Sequence, residues 1–144
     1  MIRWLAALLS AGLLLGACGS ISAGQATSSW AHQSNFFVNS KTLLADVGHA
    51  ATALAEPSSS NVALHTICAV LFTDDGHAEQ ALPTPDVQAT TLLNRAYADF
   101  ANGANRCYEA RQNPGARARA RVLLVQGVAT FSEATARVST AMSP

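Results

Sequence analysis

Charge is scarce in this chain. Nine basic and nine acidic side chains among 144 residues leave only 12 % of it charged, and a single lysine stands against eight arginines. That is about half the usual globular share. With no positive excess, a general role on nucleic acid or another polyanion is excluded. The short signatures of familiar chemistry are missing too. There is no Gly-x-Ser-x-Gly elbow, no glycine-rich phosphate loop and no Cys-x-x-Cys-His haem attachment. Nor is there a Glu-x-x-His pair from which a bundle di-metal centre is built. No catalytic residue, metal site or cofactor is therefore assigned, and the chain reads as a non-enzyme. No stretch alternates apolar and polar residues for long, which argues against a sheet. No apolar run approaches the roughly 20 residues that a membrane-spanning helix needs.

What is present begins at the amino end. One charge, Arg3, precedes an apolar stretch from Leu5 to Leu15, the length of a signal-peptide core rather than of a spanning helix. Leu15-Gly16-Ala17-Cys18 closes it with small residues that a signal peptidase can read in extended form. This resembles the lipobox of bacterial lipoproteins. The resemblance implies cleavage before Cys18, a diacylglycerol on its thiol and residence at the outer face of the cell membrane. Two acyl chains hold a protein firmly, where one binds only reversibly. The remaining 127 residues suffice for one core and are too few for two domains.

Cysteine arithmetic follows from that assignment. Once Cys18 carries lipid, Cys68 and Cys107 are left as an even pair in an oxidising compartment, where such pairs form disulfides. The bridge would close 39 residues. In the chain-entropy model such a loop is worth roughly 3–4 kcal/mol.

The chain then divides into a signal peptide (1–17), a lipidated tether (18–29) and a helical bundle domain (30–144). Residues 19–29 are small, uncharged and without apolar period, the composition of a flexible spacer. A helix is expected from Trp30 to Ala55, with Phe36, Leu43, Val47, Ala50 and Leu54 on one face. Pro57 ends it, and the serines that follow can cap a second helix starting near Asn61. That helix carries Leu64, Cys68 and Leu71 on one stripe and is interrupted or ended at Asp74-Asp75-Gly76. Thr84 and Pro85 offer an N-cap and first residue for a third helix, with Leu93, Ala96, Phe100, Ala104 and Cys107 inward. After the Asn113-Pro114-Gly115 turn, a fourth helix presents Leu124, Val128, Phe131, Thr135 and Val138. Of the arginines that open it, Arg117 and Arg121 share a face while Arg119 lies nearly opposite. The fold class expected is all-α, an antiparallel up-and-down four-helix bundle with one disulfide.

The bridge tests this topology. Helix three climbs about 33 Å from Pro85 to Cys107, whereas Cys68 lies only about 18 Å below a second helix that runs on to Gln80. An extended Leu82–Pro85 segment supplies the missing length, so the bridge requires that helix two continue through Gly76. Cys68, then Leu82-Pro83-Thr84-Pro85-Asp86, then a helix of aromatics and alanines ending at Cys107, resembles small uncharacterised actinobacterial lipoproteins. That resemblance implies an all-helical domain with one disulfide at the cell envelope, and brings no catalytic residues.

Two functional alternatives compete with a plain interaction module. His65 and Cys68 stand one helical turn apart, with Asp74, Asp75 and His77 beyond, and can face one metal ion if Cys68 is a free thiolate. A cleft near Tyr97 and Phe100 can carry a small apolar or lipid ligand. The preferred reading is a lipid-anchored envelope protein that binds a partner, touching the membrane through its N-terminal lipid and no nucleic acid.

Overall fold

The computed structural model describes residues 21–57, 59–110 and 113–143. Leu15, Gly16, Ala17 and Cys18 lie outside them. Among the described residues the protein is all helical, with five helices in the order α1 (Ala23–Gln33), α2 (Phe36–Ala55), α3 (Asn61–Glu79), α4 (Val87–Glu109) and α5 (Pro114–Ala141). None is long and apolar enough to cross a membrane.

The helix count is five where four were expected, and the difference lies at the amino end. Residues 23–29, which read as tether, belong to α1. Ser22 caps it with a capping box: its hydroxyl accepts from the Gln25 backbone N–H while the Gln25 side chain accepts from the Ser22 N–H. The expected Trp30–Ala55 helix is broken at Ser34-Asn35. There the Ser34 hydroxyl donates to the Trp30 carbonyl, and Asn35 adopts the left-handed conformation at φ 50°. Trp30 ties α1 down, its indole N–H donating to the Ala81 carbonyl at 2.7 Å and its ring lying 5.0 Å from Phe36. Gly24 sits against the end of α5, where an added Cβ would stand 3.1 Å from the Ser143 carbonyl oxygen. One end of the molecule thus gathers α1, the start of α2, the end of α3 and the end of α5.

The remaining helices pack in chain order, α2 on α3, α3 on α4, α4 on α5, with α5 returning to α2. The expected apolar faces of α2 and α4 are buried throughout. On α3 the buried stripe continues past Leu71 to Asp75 and Ala78, so the helix runs unbroken through Asp74-Asp75-Gly76 to Glu79. The contact of α4 with α5 is the most extensive, and two glycines allow it. A Cβ at Gly127 would meet the Phe100 ring at 2.6 Å, and one at Gly103 would meet Leu124 Cδ2 at 2.6 Å. This close approach shifts the buried line of α5. Gly127 and Ala134 face inward, while Val128, expected in the core, is 39 % exposed.

Polar residues set the helix starts. Ser60 accepts from the Ala63 N–H, and Asn113 accepts from the Ala116 N–H with Pro114 opening α5. For α4 the cap is Asp86, not Thr84. Thr84 is buried two residues earlier, its hydroxyl donating to the Asp86 carbonyl at 2.6 Å and its N–H donating to the Thr90 hydroxyl. Asp86 accepts from the Ala89 N–H at 2.7 Å and takes the Arg137 guanidinium on both oxygens, at 3.0 and 2.5 Å. These bonds from Arg137 and the backbone hold the Asp86 carboxyl below its usual range.

Candidate functional site

Cys68 and Cys107 form a disulfide across α3 and α4, with Cα atoms 5.8 Å apart. This is the pairing that the helix-length argument allows, because α3 continues beyond Gly76. Above the bridge the two helices part into a half-open groove of about 570 Å³. Its floor is narrow because Cys68, Ala69 and Ala104 are small. Its rims carry Phe72 and Thr73 from α3 and Asn102, Asn105, Arg106, Tyr108 and Glu109 from α4.

Two of those rim groups are aromatic rings left in water. Phe72 is 50 % exposed and Tyr108 is 44 % exposed. The Tyr108 ring is held by His65, whose imidazole lies 4.3 Å away between centroids and whose Nε2 hydrogen-bonds the phenol oxygen. Arg106 and Glu109 pair with each other at 2.7 Å, so the rim carries no net charge.

The metal alternative loses its thiolate to the bridge, and His65 is turned to Tyr108 instead. Asp74 and His77 face the α2 side, 4.0 Å from each other, with Asp46 and His49 at 3.9 Å on the neighbouring helix. Among the described residues no group of three or more His, Cys, Asp or Glu side chains is placed to hold a metal ion. Tyr97 and Phe100 lie in the core at 3 % and 0 % exposure, each with its ring 5.9 Å from that of Phe131. The cleft considered there is filled by packed rings, and the groove that exists lies towards the other end of α4.

A second, shallower depression of about 510 Å³ lies where α2 ends and α5 begins, lined by Leu54, Pro57, Arg117 and Arg121. Arg119 is not part of it, as helical spacing requires. Arg117 is already committed there, donating to the carbonyl of Glu56, the residue that ends α2, at 2.8 Å; the same oxygen accepts from the Ser59 N–H.

Sequence reasoning did not reach the acidic side chains inside the molecule. Asp75, read as part of a helix break, is 2 % exposed on the inward face of α3, with Oδ1 unpartnered. Burial and the neighbouring Glu79 push its carboxyl up to about 7. Burial, then Asp75 and Glu79, raise the Tyr97 phenol as well. Between α2 and α3, burial and the adjacent Asp74 raise Asp46. Nor did it single out Phe72, Asn102 or Asn105. Their signal was an aromatic residue off the apolar stripe of α3, facing amides off the stripe of α4.

Comparison with protein-family models, curated proteins and solved structures gives no match to the chain.

Proposed function

We propose that this protein is a lipid-anchored, non-enzymatic binding module of the bacterial cell envelope. In this reading it is held to the membrane through Cys18 and binds through the groove between α3 and α4. The observation that carries the binding half is the pair of water-exposed rings, Phe72 and Tyr108, over a disulfide-pinned floor. Exposed aromatic groups on a rigid support are the usual anchors of recognition sites. The Leu-Gly-Ala-Cys motif carries the anchoring half, and the kinship to small actinobacterial lipoproteins belongs to the same reading.

The geometry of the groove favours display. It lies between the turn of α3 that follows Cys68 and the last two turns of α4, Asn102 to Glu109, while Gly24 and Ser143 meet near the other end of the bundle, where Arg137 of α5 clamps the start of α4. Ser22 stands four residues after Cys18 in the chain. A lipid at Cys18 would hold that end to the bilayer and leave the groove facing outward.

Two variants separate the halves of the reading. Cys18→Ser is expected to abolish both the acyl mass and the cleavage before residue 18, read by intact mass. A photo-crosslinking residue at Thr73, in the groove, is expected to give an adduct that the same residue at Val125 on α5 does not. A parent chain that bears no acyl mass, or a Cys18→Ser chain cut before residue 18 like its parent, removes the anchoring claim, and equal adducts at both positions remove the groove.

A further inference from the structure

We propose that the groove between α3 and α4 takes a neutral carbohydrate, a mono- or disaccharide unit of a glycan. This rests on the reading of that groove as the binding surface and names its ligand class. The inference comes from what the rim offers and what it withholds.

A sugar ring presents two chemistries at once, a face of C–H groups and an edge of hydroxyls. Phe72 and Tyr108, on facing helices, supply aromatic surface for the first. Asn102 and Asn105, one turn apart on α4, supply the second. A carboxamide carries a donor and an acceptor side by side, which matches a pair of neighbouring hydroxyls. Thr73 adds a hydroxyl that donates to the Ala69 carbonyl and so keeps its lone pairs for an incoming donor. The volume, about 570 Å³, falls inside the range of about 300–1,000 Å³ usual for small-ligand sites.

Other ligand classes fit less well. A phosphate, nucleotide or acidic polymer needs positive charge, and the guanidinium of Arg106 is already neutralised by Glu109. A fatty chain needs a continuous apolar wall, whereas on the α4 rim the Tyr108 ring stands among Asn102, Asn105, Arg106 and Glu109. A metal finds no thiolate, because both cysteines are in the bridge. The platform is also fixed before any ligand arrives. The bridge sets the separation of the helices, and His65 holds the Tyr108 ring, so little ordering remains to oppose binding. His65 is a positioning residue in this account.

The test is an amide-resolved NMR titration of the whole lipidated chain in a zwitterionic detergent free of sugar head groups. Maltose and N,N′-diacetylchitobiose are the probes, with oleate as the comparator. At least one sugar should move the side-chain NH₂ signals of Asn102 and Asn105, and Phe72→Ala should weaken that response about tenfold or more. Because Phe72 is half exposed, the variant keeps its core, and Phe72→Tyr should retain binding. His65→Ala should weaken the response without changing the melting temperature appreciably. Absence of any groove shift with either sugar overturns the proposal, as does a response indifferent to Phe72→Ala. Should oleate alone move the same signals, the carbohydrate class falls while the groove stands. If none of the three moves them and the Thr73 adduct is also absent, the groove reading falls with it.

Discussion

At the scale of single residues, the closest constraint is glycine against ring. The Phe100 ring occupies the place of a Gly127 Cβ, and the Ala96 carbonyl oxygen stands 3.3 Å from it. A ring in a full core has nowhere to turn. Gly127→Ala is therefore expected to destabilise the fold by about 1–3 kcal/mol, measured by chemical denaturation, although alanine is the better helix former. Gly103→Ala should be milder, since what it meets is the far end of Leu124, which can change rotamer. Asp75 makes an opposite prediction about solvent. Its carboxyl prefers the proton in the folded state, up to about 7 against an ordinary value of 3.8. The folded protein thus binds more protons than the unfolded chain between those values, and stability falls as pH rises through that window. Asp75→Asn should flatten that decline and raise stability at pH above about 7 by up to a few kcal/mol. A variant as pH-sensitive as its parent would contradict this placement of the carboxylate.

At the scale of elements, Asp86 does for α4 what no apolar residue can. It caps the first turn and clamps it to α5 through Arg137. Asp86→Ala should cost about 1 kcal/mol for the cap alone, read as a lower melting temperature. Because its carboxyl is held low, this contribution is complete above the usual carboxylate range and disappears as pH falls below it. The apolar periods of α2, α3 and α4 were legible in the sequence, since burial in a bundle follows 3.6-residue spacing directly. What was not legible has local causes. Residues 23–29 look like linker because their composition is small and polar, yet a capping box and the Trp30 bond to Ala81 are enough to order them. The break at Asn35 carries no proline or glycine, and depends on a residue whose backbone tolerates the left-handed conformation. On α5, the 3.6-residue spacing of apolar residues favoured Val128 over Gly127, because periodicity weighs hydrophobicity whereas close helix contact selects small size. The groove was hidden for a related reason: Phe72 is recognisable as exposed only once the packing of the core is known.

At the scale of the whole molecule, one covalent bond bears on both the stability of the fold and the proposed groove. The Cys68–Cys107 bridge closes a loop of 39 residues and forms part of the groove floor. Cys107→Ser is expected to lower stability by roughly 3–4 kcal/mol in the chain-entropy model and to weaken groove binding through loss of the fixed helix spacing. Equal unfolding free energies in mutant and parent would contradict the stabilising role of the bridge. The molecule is also polar in its organisation. Its two described termini, Ile21 and Ser143, share one end with Trp30 and Ala81, and the groove occupies the other half. The bundle is long enough to matter, because α5 spans 28 residues, about 42 Å at 1.5 Å per residue. A lipid at the Ser22 end would thus present the groove well clear of the headgroups, which is the sense of the proposed anchor.

The measurement that tests this account most directly is intact-mass spectrometry of the detergent-extracted protein, taken before and after reduction. The account predicts a chain that begins at Cys18, carries acyl mass on that residue and gains two hydrogens on reduction. A mass corresponding to the unprocessed chain, or to one cut elsewhere and bearing no lipid, would contradict the anchored module, and a mass unchanged by reductant would contradict the bridge beneath its groove.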